Sequence, residues 1–569
     1  METTVKRTPF SLPKTRLVVL LIAALMAGPQ LAQAQEREDL EKLRATVLSL
    51  INTLVKNGVM SRNQADAMMR DAQRAAETKL AAAPPPDVGA DGKKIVRVPY
   101  VPEAVRTQMR EQITAEVLAS TRGASGAGGW GGTESAGVAE AGSRLKISGD
   151  IRLRGEAIQQ GSGNTPALAY SEGQRDLTRA ADVWADPNAN TREDLDRTRV
   201  RARLGFQFAV TEQVTAGLTL STGGVTGPTS TNQTMASGSN QTPGYFNKYA
   251  LTVDKAFVAL EPLRGLRLSG GRFANPFMGT DLVWADDLNF EGFAASYKMP
   301  LDSQWSGFAS AGWFPLSFKA PGQSSQRSLT AIQGGVDWQF GTRPNALKMA
   351  VALYDYSGIE GIKETTLDKS LVRDYVVRSE YGSGYRQRGN TLFRINSDMA
   401  GDTATNWGLA SGFSELDLTA ALDLALDGPF HLVLTGDVVT NLDFGSSKIK
   451  RRTGGLSVSD GSDLGYLVKA QFGMPVIAQA SDWNVSVGYR RLGSDAVLDA
   501  FTSSDFGRGG TNNKGFTLAG NYGIWKNTWL SARWMSSDLV DSMVPTLGGV
   551  ARPTKFSVDT LQLDLNARF

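Results

Sequence analysis

The segment Leu145-Lys-Ile-Ser-Gly-Asp-Ile-Arg-Leu-Arg-Gly-Glu156 alternates with a period of two. Leu145, Ile147, Ile151 and Leu153 share one face, and Lys146, Ser148, Asp150, Arg152, Arg154 and Glu156 share the other. That is the pattern of a β-strand with unlike faces. It recurs in Thr198, Val200, Ala202, Leu204, Phe206, Phe208 and Val210, which alternate with Arg197, Arg199, Arg201, Arg203, Gly205, Gln207 and Ala209. The last residues repeat it, with Leu561, Leu563, Leu565, Ala567 and Phe569 set against Thr560, Gln562, Asp564, Asn566 and Arg568. One such strand fits any half-buried sheet. A long succession of them, without helices or wholly apolar strands between, does not fit an ordinary soluble domain.

Sixteen segments of this kind begin near 145, 197, 214, 249, 265, 287, 305, 329, 346, 411, 429, 463, 483, 514, 528 and 555. The connections alternate in length. Short ones fall at 211–213, 261–265, 300–304, 341–345, 426–429 and 525–527, with an intermediate one at 474–482. Long polar or glycine-rich ones fall at 159–194, 223–248, 274–286, 316–328, 357–410, 442–462, 492–512 and 537–554. Outer-membrane barrels have an even number of antiparallel strands, short periplasmic turns and long outer loops. A strand structure can cross hydrocarbon only when closure satisfies every backbone hydrogen bond. The predicted fold is therefore a 16-stranded antiparallel transmembrane β-barrel over residues 145–569, with both ends periplasmic. The longest connection holds two further candidate strands, 370–381 and 390–396, so eighteen strands is an alternative of the same parity. Tyr297, Trp305, Trp338, Phe340, Trp525, Trp529 and Phe569 lie beside the short turns, as an interfacial aromatic belt would.

Composition agrees with crossing by strands. Beyond the first thirty of the 569 residues, no stretch is apolar for the 18 or more positions a spanning helix needs. Lys6, Arg7, Lys14 and Arg16, the apolar run 17–27 and Ala32-Gln33-Ala34 predict a secretory signal over residues 1–34. Its removal takes away four basic residues and one acidic, leaving 56 of each from totals of 60 and 57. Balanced charge argues against a nucleic-acid partner. Cysteine is absent, which excludes thiolate metal sites, cysteine nucleophiles and covalently attached haem. No cofactor is expected.

Between signal and barrel, Leu40, Leu43, Val47, Leu50 and Leu54 draw an apolar helical seam. It ends at Asn57-Gly58, and Ser61 with Gln64 opens a second helix. Residues 35–82 read either as an autonomous helical hairpin or as a coiled-coil stalk that could join a homotrimer. Residues 83–144 read as a proline- and glycine-rich linker carrying one helix, about 102–121.

The helical start, Val101-Pro-Glu-Ala-Val-Arg106, Gly149-Asp-Ile-Arg-Leu-Arg154, the arginine-alternating second strand, Gly271-Arg-Phe-Ala-Asn-Pro276 and the terminal Phe569 resemble the Putative porin family of Gram-negative outer membranes. More remotely, the chain is similar to phosphate-selective porins. The resemblance implies a monomeric or trimeric general porin in the outer-membrane bilayer, with Phe569 as the aromatic signal read by the barrel-assembly machinery. It does not imply a particular solute.

A sixteen-strand barrel encloses water unless it is plugged, so passive diffusion of small hydrophilic solutes is the expected function. Arg152, Arg154, Arg197, Arg199, Arg201 and Arg203 would form a basic inner wall that concentrates small anions, partly paired with Asp150, Glu156 and Asp564. The loop after the fifth strand brings Asp281, Asp286 and Asp287 as a candidate constriction, an acidic edge facing the arginine wall. An enzyme is disfavoured: His431 is the lone histidine, Asp437 is the nearest same-face acid in its strand, and no G-x-S-x-G surrounds any serine. The other reading is a structural barrel tethered to the cell wall through its stalk, with conduction secondary.

Overall fold

The computed structural model describes residues 144–165, 190–236, 245–318, 326–363, 379–382, 384–395, 407–453, 461–541, 543–544, 552–553 and 555–569. The expected signal, stalk and linker lie outside them.

Sixteen long strands follow one another: β1 (Leu145–Gln160), β2 (Leu195–Ala209), β3 (Val214–Ser221), β4 (Thr252–Leu263), β5 (Leu266–Ala274), β6 (Asn289–Pro300), β7 (Trp305–Ser317) and β8 (Arg327–Phe340). Then come β9 (Asn345–Ser357), β10 (Ser414–Ala425), β11 (His431–Asn441), β12 (Leu464–Gly473), β13 (Trp483–Leu492), β14 (Asn513–Trp525), β15 (Thr528–Leu539) and β16 (Ser557–Arg568). Each start lies within three residues of its expected position. Every neighbouring pair is antiparallel. The ring closes where β1 pairs with β16, from Asp150 opposite Arg568 to Gln160 opposite Val558.

The eighteen-strand alternative fails. Leu392–Arg394 forms a strand, but it pairs with Trp407–Leu409 in a separate two-stranded sheet outside the barrel ladder. Three residues of ladder beside a long connection make a loop hairpin, too short to cross a bilayer.

The period-two faces now separate by environment. Outward residues are apolar and exposed, among them Ile147, Leu153, Ile332, Val351, Leu418, Val468 and Leu563. This is the face expected to meet lipid. At the short-turn end the rings of Trp305 and Trp338 stack with centroids 5.1 Å apart, and Phe340 joins Trp338 at 4.6 Å. Trp529 departs from the expected belt. It shares the inward register of Asn566, with the guanidinium of Arg568 5.4 Å from its ring.

The inward face is divided. Phe273, Phe290, Phe314, Leu329, Tyr354 and Tyr356, from β5 to β9, carry an apolar cluster inside the barrel, whereas β1 and β2 carry charge. Gly515 of β14 lies where strand and neighbour crowd. It has φ +150° and a Cβ there would stand 2.0 Å from the backbone oxygen of Ser536. Gly515→Ala is expected to cost about 1–3 kcal/mol. The urea midpoint of the folded barrel should fall, and an unchanged midpoint would contradict this tight approach.

Candidate functional site

Antiparallel register assembles the basic wall. It sets Arg152 opposite Arg201, Arg154 opposite Arg199, Asp150 opposite Arg203 and Glu156 opposite Arg197, while β16 brings Asp564 opposite Arg154. Because side chains of a strand alternate, all six arginines share one face. The same register interleaves them with acids. Arg154 donates Nε to Asp564 Oδ1 at 2.8 Å and a second nitrogen to Oδ2 at 2.9 Å, a bidentate pair. Arg197 Nε donates to Glu156 at 2.9 Å, and Arg199 stands 3.6 Å from the same carboxylate. Arg201 and Arg203 both bond Asp150, at 3.2 and 2.6 Å through Nε. Arg152 has no carboxylate at ion-pair distance among the described residues; its Nη2 donates to Asn232 at 2.6 Å.

The connection between β5 and β6, residues 275–288, folds against this wall at one end and the apolar cluster along its middle. Asp287 Oδ1 accepts from Arg201 at 3.1 Å and Arg203 at 3.4 Å, and its Oδ2 accepts from the Thr231 hydroxyl at 3.1 Å. Burial would push the Asp287 carboxyl up, but Arg201, Arg203 and Arg152 outweigh it and hold it below the usual carboxylate range. Asp287 is therefore a clasp on the wall and not an acid facing it across water. Asp281 lies 3.7 Å from Arg490 of β13. Asp286 is exposed, and Arg533 of β15 and Lys469 of β12 are close enough to act on its charge. Of the three acids expected at a constriction, Asp281 and Asp286 keep exposed side chains and Asp287 does not.

The rest of the loop is held by shape. Trp284 packs edge-on against Phe290 at 4.8 Å and Tyr354 at 4.9 Å, and Phe277 against Tyr354 at 5.4 Å. Thr280 donates its backbone N–H and hydroxyl to Asp437 of β11, at 3.2 and 2.5 Å. His431 bonds a different acid, Asp423, with Nδ1 at 2.5 Å.

A second inward element had no sequence signal. The 493–512 connection docks on the first loop: Ala285 N–H donates to Phe501 O at 2.8 Å, and Thr502 Oγ1 donates to Leu282 O at 2.8 Å. It places Asp505 3.0 Å from Arg154 Nη1 and 3.6 Å from Arg533 Nη1. Strand parity would have put Arg490 and Arg533 inward; nothing local marks Asp505.

The 379–395 stretch locks onto the same connection. The Tyr381 hydroxyl donates to Asp499 at 2.5 Å, and Thr391 donates to Asp495 from N–H and hydroxyl at 2.8 and 2.6 Å. Burial pushes the Asp499 carboxyl up, to about 6, despite Tyr381 and Arg386. A carboxyl raised on folding adds stability that is full below its unfolded value near 4 and is lost as pH rises through about 6. The clasp is thus expected to resist urea better at pH 5 than at pH 7, and Asp499→Asn should shrink that difference.

The sequence matches the family described as Putative porin over residues 44–569. The chain belongs to that family. No curated protein matches this porin in sequence. Among solved structures, it is similar to OprB of Pseudomonas putida, at 9% identity and TM-score 0.39 over 75% of this chain and 94% of that one. It is also similar to OmpT, an outer membrane protein of Vibrio cholerae, at 9% and 0.38 over 76% and 100%. The outer membrane channel DcaP of Acinetobacter baumannii gives 12% and 0.35 over 76% and 100%. Membership of the family, with the closed ring of strands, makes the porin a membrane-embedded barrel of the outer membrane. The matched region begins a hundred residues before β1, so the segment preceding the barrel is part of what the family shares.

Proposed function

We propose that this porin is a passive channel for small hydrophilic solutes that prefers anions, and that it performs no catalysis. The observation supporting this is a charge imbalance. Arg152, Arg154, Arg197, Arg199, Arg201, Arg203 and Arg533 are met by Asp150, Glu156, Asp564, Asp287 and Asp505, with Asp286 near Arg533, so cationic groups still outnumber acids on this side of the barrel. Excess charge inside low-dielectric walls raises the local concentration of counter-ions. Arg152 and Arg199 supply the excess, since neither makes a close carboxylate bond.

In a potassium chloride gradient across a planar bilayer, the reversal potential should move toward the chloride equilibrium value. Replacing Arg152 and Arg199 together by Gln should lower the anion-to-cation permeability ratio several-fold. A cation-selective wild type would overturn the reading.

The same reading places the short turns and both ends of the barrel in the periplasm, with the long connections outside. Phe569 supports recognition by the assembly machinery: its ring lies across Gly149, and its N–H donates to Gly149 O at 3.0 Å, so the terminal aromatic sits at the closure. Residues 35–82 would provide the homotrimer contact, and their deletion should leave single-barrel conductance intact while abolishing trimers.

A further inference from the structure

Among the acids around the basic wall, Asp505 differs in origin. Asp150, Glu156 and Asp564 belong to strands and are fixed by register. Asp505 comes from a connection and enters from the lumen side. Its Oδ2 accepts from Arg154 Nη1 at 3.0 Å and lies 3.6 Å from Arg533 Nη1. Arg199 and Arg152 are the next cations acting on it. Burial opposes its charge, but these four guanidiniums hold its carboxyl far below the usual range. They come from β1, β2 and β15 and are arranged around one carboxylate.

The cage has unused capacity. Arg152 Nε and Arg199 Nε are buried and have no hydrogen-bond partner. A buried N–H without an acceptor costs about 1–3 kcal/mol, and the planar guanidinium fork matches an oxyanion bearing two or more acceptor oxygens. Asp564, Asn232 and Glu156 serve other nitrogens of this group, and Asp505 leaves these two N–H groups without an acceptor.

Displacement needs little motion. The connection is anchored on both sides of Asp505. Thr502 bonds Leu282, Phe506 lies under the Arg490 guanidinium at 4.9 Å, and Arg388 bonds the carbonyls of Gly507 and Gly509. The Asp505 side chain is itself 19% exposed. Rotation of that side chain alone would vacate the cage.

We propose that Arg152, Arg154, Arg199 and Arg533 form a binding site for a small oxyanion, a carboxylate or a phosphate, in which Asp505 is a built-in stand-in displaced by the passing anion. This rests on the anion-channel reading for its purpose and goes beyond it in assigning one site and its internal competitor. A tethered group competes at an effective concentration of about millimolar or more, so it keeps binding weak and release fast, as conduction requires.

The test is calorimetric titration of the full-length, detergent-solubilised protein at low salt with inorganic phosphate and, separately, succinate. Asp505→Asn should bind at least tenfold more tightly than wild type, and adding Arg533→Gln and Arg199→Gln should abolish the gain. A folded Asp505→Asn protein that binds no more tightly would overturn the proposal, as would a gain that survives loss of both arginines. Should Asp505→Asn fail to fold, phosphate block of the wild-type chloride current decides. At least fivefold weaker block in Arg533→Gln supports the site, and unchanged block overturns it. Calorimetry needs no conduction, so a cation-selective reversal potential would sink the anion-channel reading while leaving the site intact.

Discussion

Trp284→Ala is expected to enlarge the single-channel conductance while leaving the barrel folded. Trp284 is 3% exposed and touches Phe290, Tyr354 and Phe501, so it joins the 275–288 loop to the inner wall and to the 493–512 connection at once. Truncating such a side chain removes roughly 3–5 kcal/mol of packing. The strand ladder is untouched, and Asp287 and Thr280 still tie the loop at two points. The loss therefore falls on the loop's docking. Planar-bilayer recordings should show larger and noisier steps. Unchanged conductance would mean that this packing does not limit the passage.

Arg154→Met is expected to have the largest effect on stability. Arg154 is 1% exposed and serves both Asp564, itself 8% exposed, and Asp505. Removing one partner of a buried pair leaves an uncompensated charge, at about 3–5 kcal/mol. The urea midpoint of the folded barrel should fall accordingly. Replacing both partners of a buried pair by apolar groups is often nearly neutral, so Arg154→Met with Asp564→Leu should recover much of the loss. A double variant no better than the single one would show that Asp505, and not Asp564, is the acid left stranded.

The strands were legible because a strand's signal is local. Leu145 to Glu156 or Leu561 to Phe569 declare two faces within ten residues, and connection lengths that alternate fix the count. The inward positions of Arg152 to Arg203 followed from that parity alone. What was not legible depends on partners far away in the chain. Phe273, Phe314 and Tyr354 occupy inward positions that a polar lumen would not favour, and their apolar character makes sense only once Phe277, Leu282 and Trp284 are seen to cover them. Asp505 lies 351 residues from Arg154, and no spacing rule links a loop acid to a strand it does not follow. The candidate strand at 390–396 failed for a related reason: Leu392 and Phe393 are buried, but within loop packing and not in the barrel wall.

The joint between β1 and β16 carries a kinetic consequence. Arg154 and Asp564 are neighbours across a ladder although 410 residues separate them, and Gly149 and Phe569 exchange backbone bonds at the same joint. Every other pairing of the ring links strands adjacent in sequence, across a short turn or a long connection, so the rest of the sheet can form by successive hairpins. The joint alone closes across 410 residues, at the largest loss of chain entropy in the wall. Until then two open edges persist, each able to pair with another chain. A barrel of this porin that has formed its other pairings is hence vulnerable until β1 meets β16, and that one joint decides whether a curved sheet becomes a ring.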